Sequence, residues 1–127
     1  MRYLLDTHAL IWYFENSSRL PPATKEIIGD NENRIYLCSV SLWEIAIKLN
    51  SGKLEIHLTF EELLNRVRRD DYQLLQIEGK HLKRLFALPT LHKDPFDRLL
   101  IATALAENLT IITADDDIHK YDVPCFW

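Results

Sequence analysis

The sequence predicts one α/β domain built on a parallel sheet that is covered on both faces. Three observations predict it. Short apolar strand-like runs alternate with helical patterns along the whole chain. The 127 residues suit a single domain spanning 1–127, with no linker, internal repeat or low-complexity tract. Hydrophobic residues make up 47%, enough for a packed core and too many for a disordered chain.

The elements follow in order. Residues 2–5 (RYLL) read as a short buried strand and 8–15 (HALIWYFE) as a helix. Pro21-Pro22 opens a second helix that runs to about Gly29. Residues 34–38 (RIYLC) form a second strand, and 42–50 a helix stopped by Ser51-Gly52. A charged amphipathic helix spans 60–69, with Leu63, Leu64 and Val67 on its apolar side. Residues 73–77 are a third strand, and 80–87 a short helix that ends before Pro89. Asp94-Pro95 opens an apolar helix over 96–107, whose uncharged stretch Leu99 to Ala106 suits burial. Residues 109–113 (LTIIT) are a fourth strand. Residues 123–127 add a weak fifth, at an edge because Pro124 cannot donate to a ladder.

Composition excludes several function classes. No apolar run approaches the ~20 residues that span a bilayer. The first residues lack a signal-peptide pattern, because Asp6 interrupts the apolar segment. Two cysteines, Cys38 and Cys125, are too few for a disulfide scaffold and read as buried reduced thiols in apolar strands of a cytoplasmic protein. With three glycines in the chain, there is no Gly-rich phosphate loop or dinucleotide fingerprint. The net charge of -4 does not announce a nucleic-acid binder. Basic residues such as Arg66, Arg68, Lys83 and Arg98 gather in the second half, where solvated helix faces explain them equally well.

The acids carry more information. Asp6 directly follows the first strand, Glu44 lies in the first turn of the helix after the second, and Asp115 to Asp117 directly follow the fourth. The carboxyl ends of parallel strands share one crevice, where ligands bind. Each acid also has an ordinary structural use. Asp6 can cap the helix that follows it. Ser41-Leu42-Trp43-Glu44 matches a capping box, and Glu44 stands i,i+4 from Lys48. Asp94-Pro95-Phe96-Asp97 reads as N-cap through N3, and Asp115 to Asp117 can cap a short helix over 117–121. Helix capping alone does not explain why so many helix starts at one sheet edge carry carboxylates.

Four segments together resemble the PIN domain: Leu4-Leu5-Asp6-Thr7-His8-Ala9-Leu10, Ser39-Val40-Ser41-Leu42-Trp43-Glu44-Ile45, Asp94-Pro95-Phe96-Asp97-Arg98-Leu99-Leu100-Ile101-Ala102 and Ile112-Thr113-Ala114-Asp115. Within that family the chain is most similar to the VapC-type toxins of bacterial and archaeal toxin–antitoxin pairs. The resemblance covers essentially the whole chain and implies a three-layer α/β/α sandwich. It implies Mg²⁺- or Mn²⁺-dependent endoribonuclease activity on an RNA substrate, homodimers, and inhibition by a cognate antitoxin protein. By motif, Asp6, Glu44 and Asp97 match the family's acidic positions, and Asp97 is thereby expected at the same rim. The fourth acid matches Asp115, two residues after Thr113, with Asp116 left open by the three-acid run. Thr7 and Ser39 are lesser candidates for supporting the site.

The chemistry agrees with the acids. All four proposed ligands are hard oxygens, which suit Mg²⁺ or Mn²⁺ better than Zn²⁺. Gathered carboxylates repel, so at least one pKa should rise, and a divalent ion would relieve the repulsion. The five scattered histidines read as surface or half-buried structural residues. Two rival readings remain. A fold that binds without catalysis conflicts with all four acidic positions being filled. An aspartyl-phosphate phosphatase would want a second Asp two residues after Asp6, where His8 stands.

Overall fold

The computed structural model describes residues 1–70 and 72–127. In chain order the elements are β1 (Arg2–Leu5), α1 (Thr7–Phe14), α2 (Pro22–Gly29), β2 (Arg34–Cys38), α3 (Ser39–Asn50), α4 (Phe60–Arg69), β3 (Gln73–Leu75), α5 (Gly79–Ala87), α6 (Pro95–Glu107), β4 (Thr110–Ile112), α7 (Asp116–His119) and β5 (Cys125–Phe126). The sheet order is β3-β2-β1-β4-β5. Every described pairing is parallel, with Leu4 opposite Tyr36 and Leu5 opposite Ile112 in register. The first three strands are laid down in one direction and β4 returns to the other side of β1. The sheet therefore reverses between β1 and β4, the kind of switch point at which open α/β sheets bind ligands.

Strand alternation produces the layers. Leu5, Ile35, Leu37 and Ile112 enter one core with Leu10 and Phe14 of α1, Ile45 of α3 and Leu63 of α4. Their neighbours Leu4, Tyr36, Cys38 and Ile111 enter the other, with Leu100 and Ile101 of α6 and Ile118 of α7. Successive side chains of a strand point to opposite faces, so a strand apolar on both parities is covered on both. The result is the expected three-layer sandwich. The β5 strand takes the edge beside β4, where the Pro124 carbonyl accepts the Ile111 N–H at 2.8 Å and the missing proline N–H costs nothing.

Helix boundaries differ at informative places. The α3 helix starts at Ser39, not 42, because β2 passes directly into it with extended Cys38 as N-cap. Ser41 therefore lies inside the helix, and its buried Oγ has no hydrogen-bond partner among the described residues. The capping-box expectation for Ser41 and Glu44 fails on that geometry. A capping box does occur at α5, between Glu78 and His81. His81 is fully buried, with Nδ1 accepting the Glu78 N–H at 2.9 Å, against the expectation of surface or half-buried histidines. The α7 helix is capped by Asp115, not Asp117. The α6 helix ends on Asn108 in the left-handed region (φ 57°), a conformation asparagine tolerates at a helix stop. The cysteines are free, Cys38 buried and Cys125 half-buried.

Candidate active site

Asp6 stands where β1 gives way to α1. Its backbone is extended, and Oδ1 accepts the Ala9 N–H at 2.7 Å, so it caps α1 as the sequence suggests. A cap alone needs one oxygen. The second, Oδ2, accepts the hydroxyl of Thr113 at the end of β4. Asp6 is 6% exposed, and burial raises its pKa above the usual carboxylate range, with the Asp115 charge adding a smaller push. Thr113 Oγ1 in turn accepts the Asp115 N–H at 3.0 Å. One buried threonine thus ties together the two chain segments that flank the sheet's switch point.

Glu44 lies one and a half turns into α3 and is 4% exposed. The Thr7 hydroxyl donates to Oε1 at 2.6 Å and the Lys48 ammonium to Oε2 at 2.5 Å. Its carboxylate is therefore held by α1 on one side and by its own helix on the other. Glu44 also keeps Lys48 protonated well above the ordinary lysine range. Thr7 supports the site as expected. Ser39, half-buried at the first position of α3, bonds none of the four acids among the described residues.

Asp97 occupies the third position of α6, behind the N-cap Asp94, whose Oδ1 accepts the Asp97 N–H at 3.0 Å. Burial pushes its pKa up to about 7, and the charges of Asp94, Asp115 and Glu44 push in the same direction. His92 opposes the shift, with Nε2 at 3.3 Å from Asp97 Oδ2. The tautomer of His92 follows from its other side. The Tyr121 hydroxyl oxygen accepts N–H groups from Leu91, His92 and Arg98 at 3.2, 3.2 and 3.0 Å. Its lone pairs are then fully engaged, so its own proton goes to His92 Nδ1 at 2.9 Å. On that assignment Nε2 carries a proton and donates to Asp97.

Asp115 is half-buried and caps α7, with Oδ1 accepting the Asp117 N–H at 2.8 Å. Its charge reaches both Asp6 and Asp97. Asp116 is exposed in the first turn of α7, and Asp117 pairs with Lys120 at 2.7 Å. The expected repulsion is real but secondary: burial is the larger cause of both raised carboxyls. Thr113, His92 and Tyr121 were not legible as site residues. Thr113 sits two residues before Asp115, a weak spacing signal; His92 and Tyr121 meet only through the fold.

A family model described as the PIN domain matches residues 3–124. The chain belongs to the PIN-domain family. Similar proteins include "Ribonuclease VapC22" of Mycobacterium tuberculosis (strain ATCC 25618 / H37Rv), 23% identical over 122 residues, covering 95% of this chain and 92% of that protein. The same fold occurs in the structure of VapBC2 from Rickettsia felis bound to a DNA fragment from their promoter, with TM-score 0.74, 19% identity, and 99% and 98% of the two chains covered. It occurs again in FitAcB from Neisseria gonorrhoeae, with TM-score 0.69, 19% identity, and 98% and 96% covered.

In this PIN domain the four acids are hard-oxygen donors of the kind a divalent cation takes, and Asp6 and Asp97 carry raised pKa values that a positive charge would lower. Among the described residues, no three acidic, imidazole or thiol groups are already drawn around one point. Each carboxylate instead has a donor of its own: Thr113 on Asp6, Lys48 on Glu44, His92 on Asp97 and the Asp117 N–H on Asp115.

Proposed function

We propose that this PIN domain is a Mg²⁺- or Mn²⁺-dependent endoribonuclease and the toxin of a toxin–antitoxin pair. The observation that carries the reading is half-buried Asp97, whose pKa is raised to about 7 by desolvation and by neighbouring acids, among them Asp115 and Glu44 from separate elements. Evolving a core does not require buried acids that destabilise one another; a site for a cation and a phosphodiester does. The name of the M. tuberculosis relative supports ribonuclease chemistry, and its length matches this chain.

Asp6, Glu44, Asp97 and Asp115 would hold the ion, with Asp115 preferred to Asp116 because its charge acts on both Asp6 and Asp97. A bound divalent ion supplies positive charge to the scissile phosphate and lowers the pKa of water. The chain's own residues orient the carboxylates. Thr7 fixes one oxygen of Glu44, Thr113 fixes one of Asp6, and His92 holds the Asp97 carboxyl through a protonated Nε2. Lys48 keeps a positive charge beside Glu44, where an RNA phosphate would approach.

An antitoxin and a second copy of the chain are the proposed protein partners. The VapBC names of the structural neighbours support the first. Exposed apolar side chains support the second: Leu82 and Phe86 stand i,i+4 on α5 at 50% and 93% exposure. Of the consecutive aromatics on α1, Phe14 is buried, while Trp12 and Tyr13 are half-buried. The free thiols suit a reducing compartment such as the cytoplasm, and among the described residues no helix is long and apolar enough to cross a membrane.

The deciding experiment incubates purified, partner-free protein with total RNA, with and without Mn²⁺, and maps the new ends. Discrete cuts that need Mn²⁺ and vanish in Asp97→Asn support the proposal. RNA left intact by folded wild-type protein under both conditions overturns it.

A further inference from the structure

The acids are bordered on the β5 side by rings the catalytic reading does not use. Trp12 stands one turn beyond His8 on α1, with ring centroids 5.5 Å apart. Trp127, which follows β5, meets Trp12 with centroids 5.7 Å apart in an edge-to-face arrangement. Together with Asp6 and Asp115, these three rings line an open hollow of about 180 Å³. On its far side Trp12 also walls a second, larger hollow of about 500 Å³ that includes Arg19. The Arg19 guanidinium lies 5.8 Å from the Trp12 ring centroid. Trp12 is thus a partition between a hollow lined by Asp6 and Asp115 and one in which Arg19 stands with Glu15 and Glu55.

We infer that Trp12 and Trp127 form a stacking shelf for one unpaired nucleobase of a single-stranded RNA whose adjoining phosphate lies at the carboxylates. The inference rests on the ribonuclease reading for the identity of the strand, and it adds the subsite that would position it. Three features choose a nucleobase as the occupant. The hollow is continuous with the acids, so whatever fills it is covalently next to the reacting group. Apart from Ala114 its walls away from the acids are aromatic rings, which accept any base by stacking. Arg19 offers a phosphate or a stacked ring its charge one step further along the same strand. A purely structural role for the rings would not call for an open hollow between them and the acids.

The test uses tryptophan fluorescence. The chain has three tryptophans, and Trp43→Phe leaves emission to Trp12 and Trp127 alone. This folded variant is titrated, in millimolar Ca²⁺ to screen the carboxylates, with six-nucleotide oligouridylate and oligoadenylate. A ribose-phosphate oligomer of the same length without bases is the comparison. The base-bearing strands should quench emission and bind about 5- to 150-fold more tightly than the abasic one, the contribution of one stacked base. Trp12→Leu, verified as folded by its melting curve, should lose the same factor. Equal binding by the abasic oligomer overturns the shelf without recourse to any variant. Unchanged RNA affinity in folded Trp12→Leu also overturns it and assigns the rings to packing or to a protein partner. Cleavage is read separately. Base-dependent quenching by a protein that leaves RNA intact with Mn²⁺ keeps the shelf and refutes the nuclease, while metal-dependent cleavage with normal affinity in Trp12→Leu does the reverse.

Discussion

At the scale of single residues the site is a set of opposed pushes, and Asp97 shows them best. Its pKa is raised from 3.8 to about 7, first by burial and then by the neighbouring acids. Between those two pH values the unfolded chain has released a proton that the native chain retains, so Asp97 makes stability fall as pH rises through that window. Asp97→Asn removes the titration and keeps an oxygen for His92. Its melting temperature should therefore exceed that of wild type by a margin that grows from pH 4 to pH 7 and then levels off, while metal-dependent RNA cleavage is lost. Melting curves at several pH values, without added metal, check this. A constant offset would mean that Asp97 titrates normally. Tyr121 acts at one remove. Its hydroxyl receives three N–H groups and sets the His92 tautomer. Tyr121→Phe removes the acceptor of the Leu91 and His92 N–H groups, while Arg98 keeps the Pro89 carbonyl, so denaturant unfolding should show a loss of about 0.5–1.5 kcal/mol. Cleavage should fall as well, because nothing then fixes which His92 nitrogen faces Asp97.

At the scale of elements, helix starts separate capping from catalysis. Ser41 was expected to cap α3, which would make Ser41→Ala costly. With α3 starting at Ser39 and the Ser41 hydroxyl buried without a partner, Ser41→Ala should instead be neutral or slightly stabilising in a thermal melt. The cap that matters lies at α7. Asp115→Ala should cost about 0.5–2 kcal/mol through the lost bond to the Asp117 N–H. Asp117→Asn, at an exposed pair with Lys120, should change unfolding little. If Asp117→Asn proves the more damaging of the two, the α7 cap has been misplaced. The contrast shows where sequence reading stops. Element types and order were legible because hydrophobic periodicity survives in Leu4-Leu5, Ile111-Ile112 and the α6 stretch. The start of α3 was not, because β2 runs into the helix with no turn residue to mark the passage, and a serine with a glutamate three places on imitates a cap. The four acids were legible by their places after strands and at helix starts. His92 and Tyr121 were not, because they reach Asp97 only after α6 and the segment beyond α7 have packed together.

At the scale of the whole molecule, a chain of net charge -4 has placed two buried acids, Asp6 and Glu44, and two half-buried ones, Asp97 and Asp115, at the ends of β1 and β4 and near the starts of α3 and α6. Unfolding separates those acids, so their burial and mutual repulsion are costs of the native state alone. Two local devices offset the cost: Lys48 on Glu44 and the threonine hydroxyls on Glu44 and Asp6. A cation that binds the native rim and not the open chain should therefore stabilise the fold, by about 2.7 kcal/mol at a hundredfold excess over its dissociation constant. The melting temperature should climb with Mn²⁺ or Mg²⁺ through the range in which the site fills. Asp6→Asn should start higher without metal, having lost a buried charge, and climb less with it. Lys48→Gln should start lower, because Glu44 loses its partner, and climb more, because the ion no longer competes with an ammonium for the same oxygen. Differential scanning fluorimetry across millimolar Mn²⁺ distinguishes these three slopes. Parallel slopes in all three proteins would show that the ion binds elsewhere, and a flat wild-type response would remove the metal from the proposed chemistry.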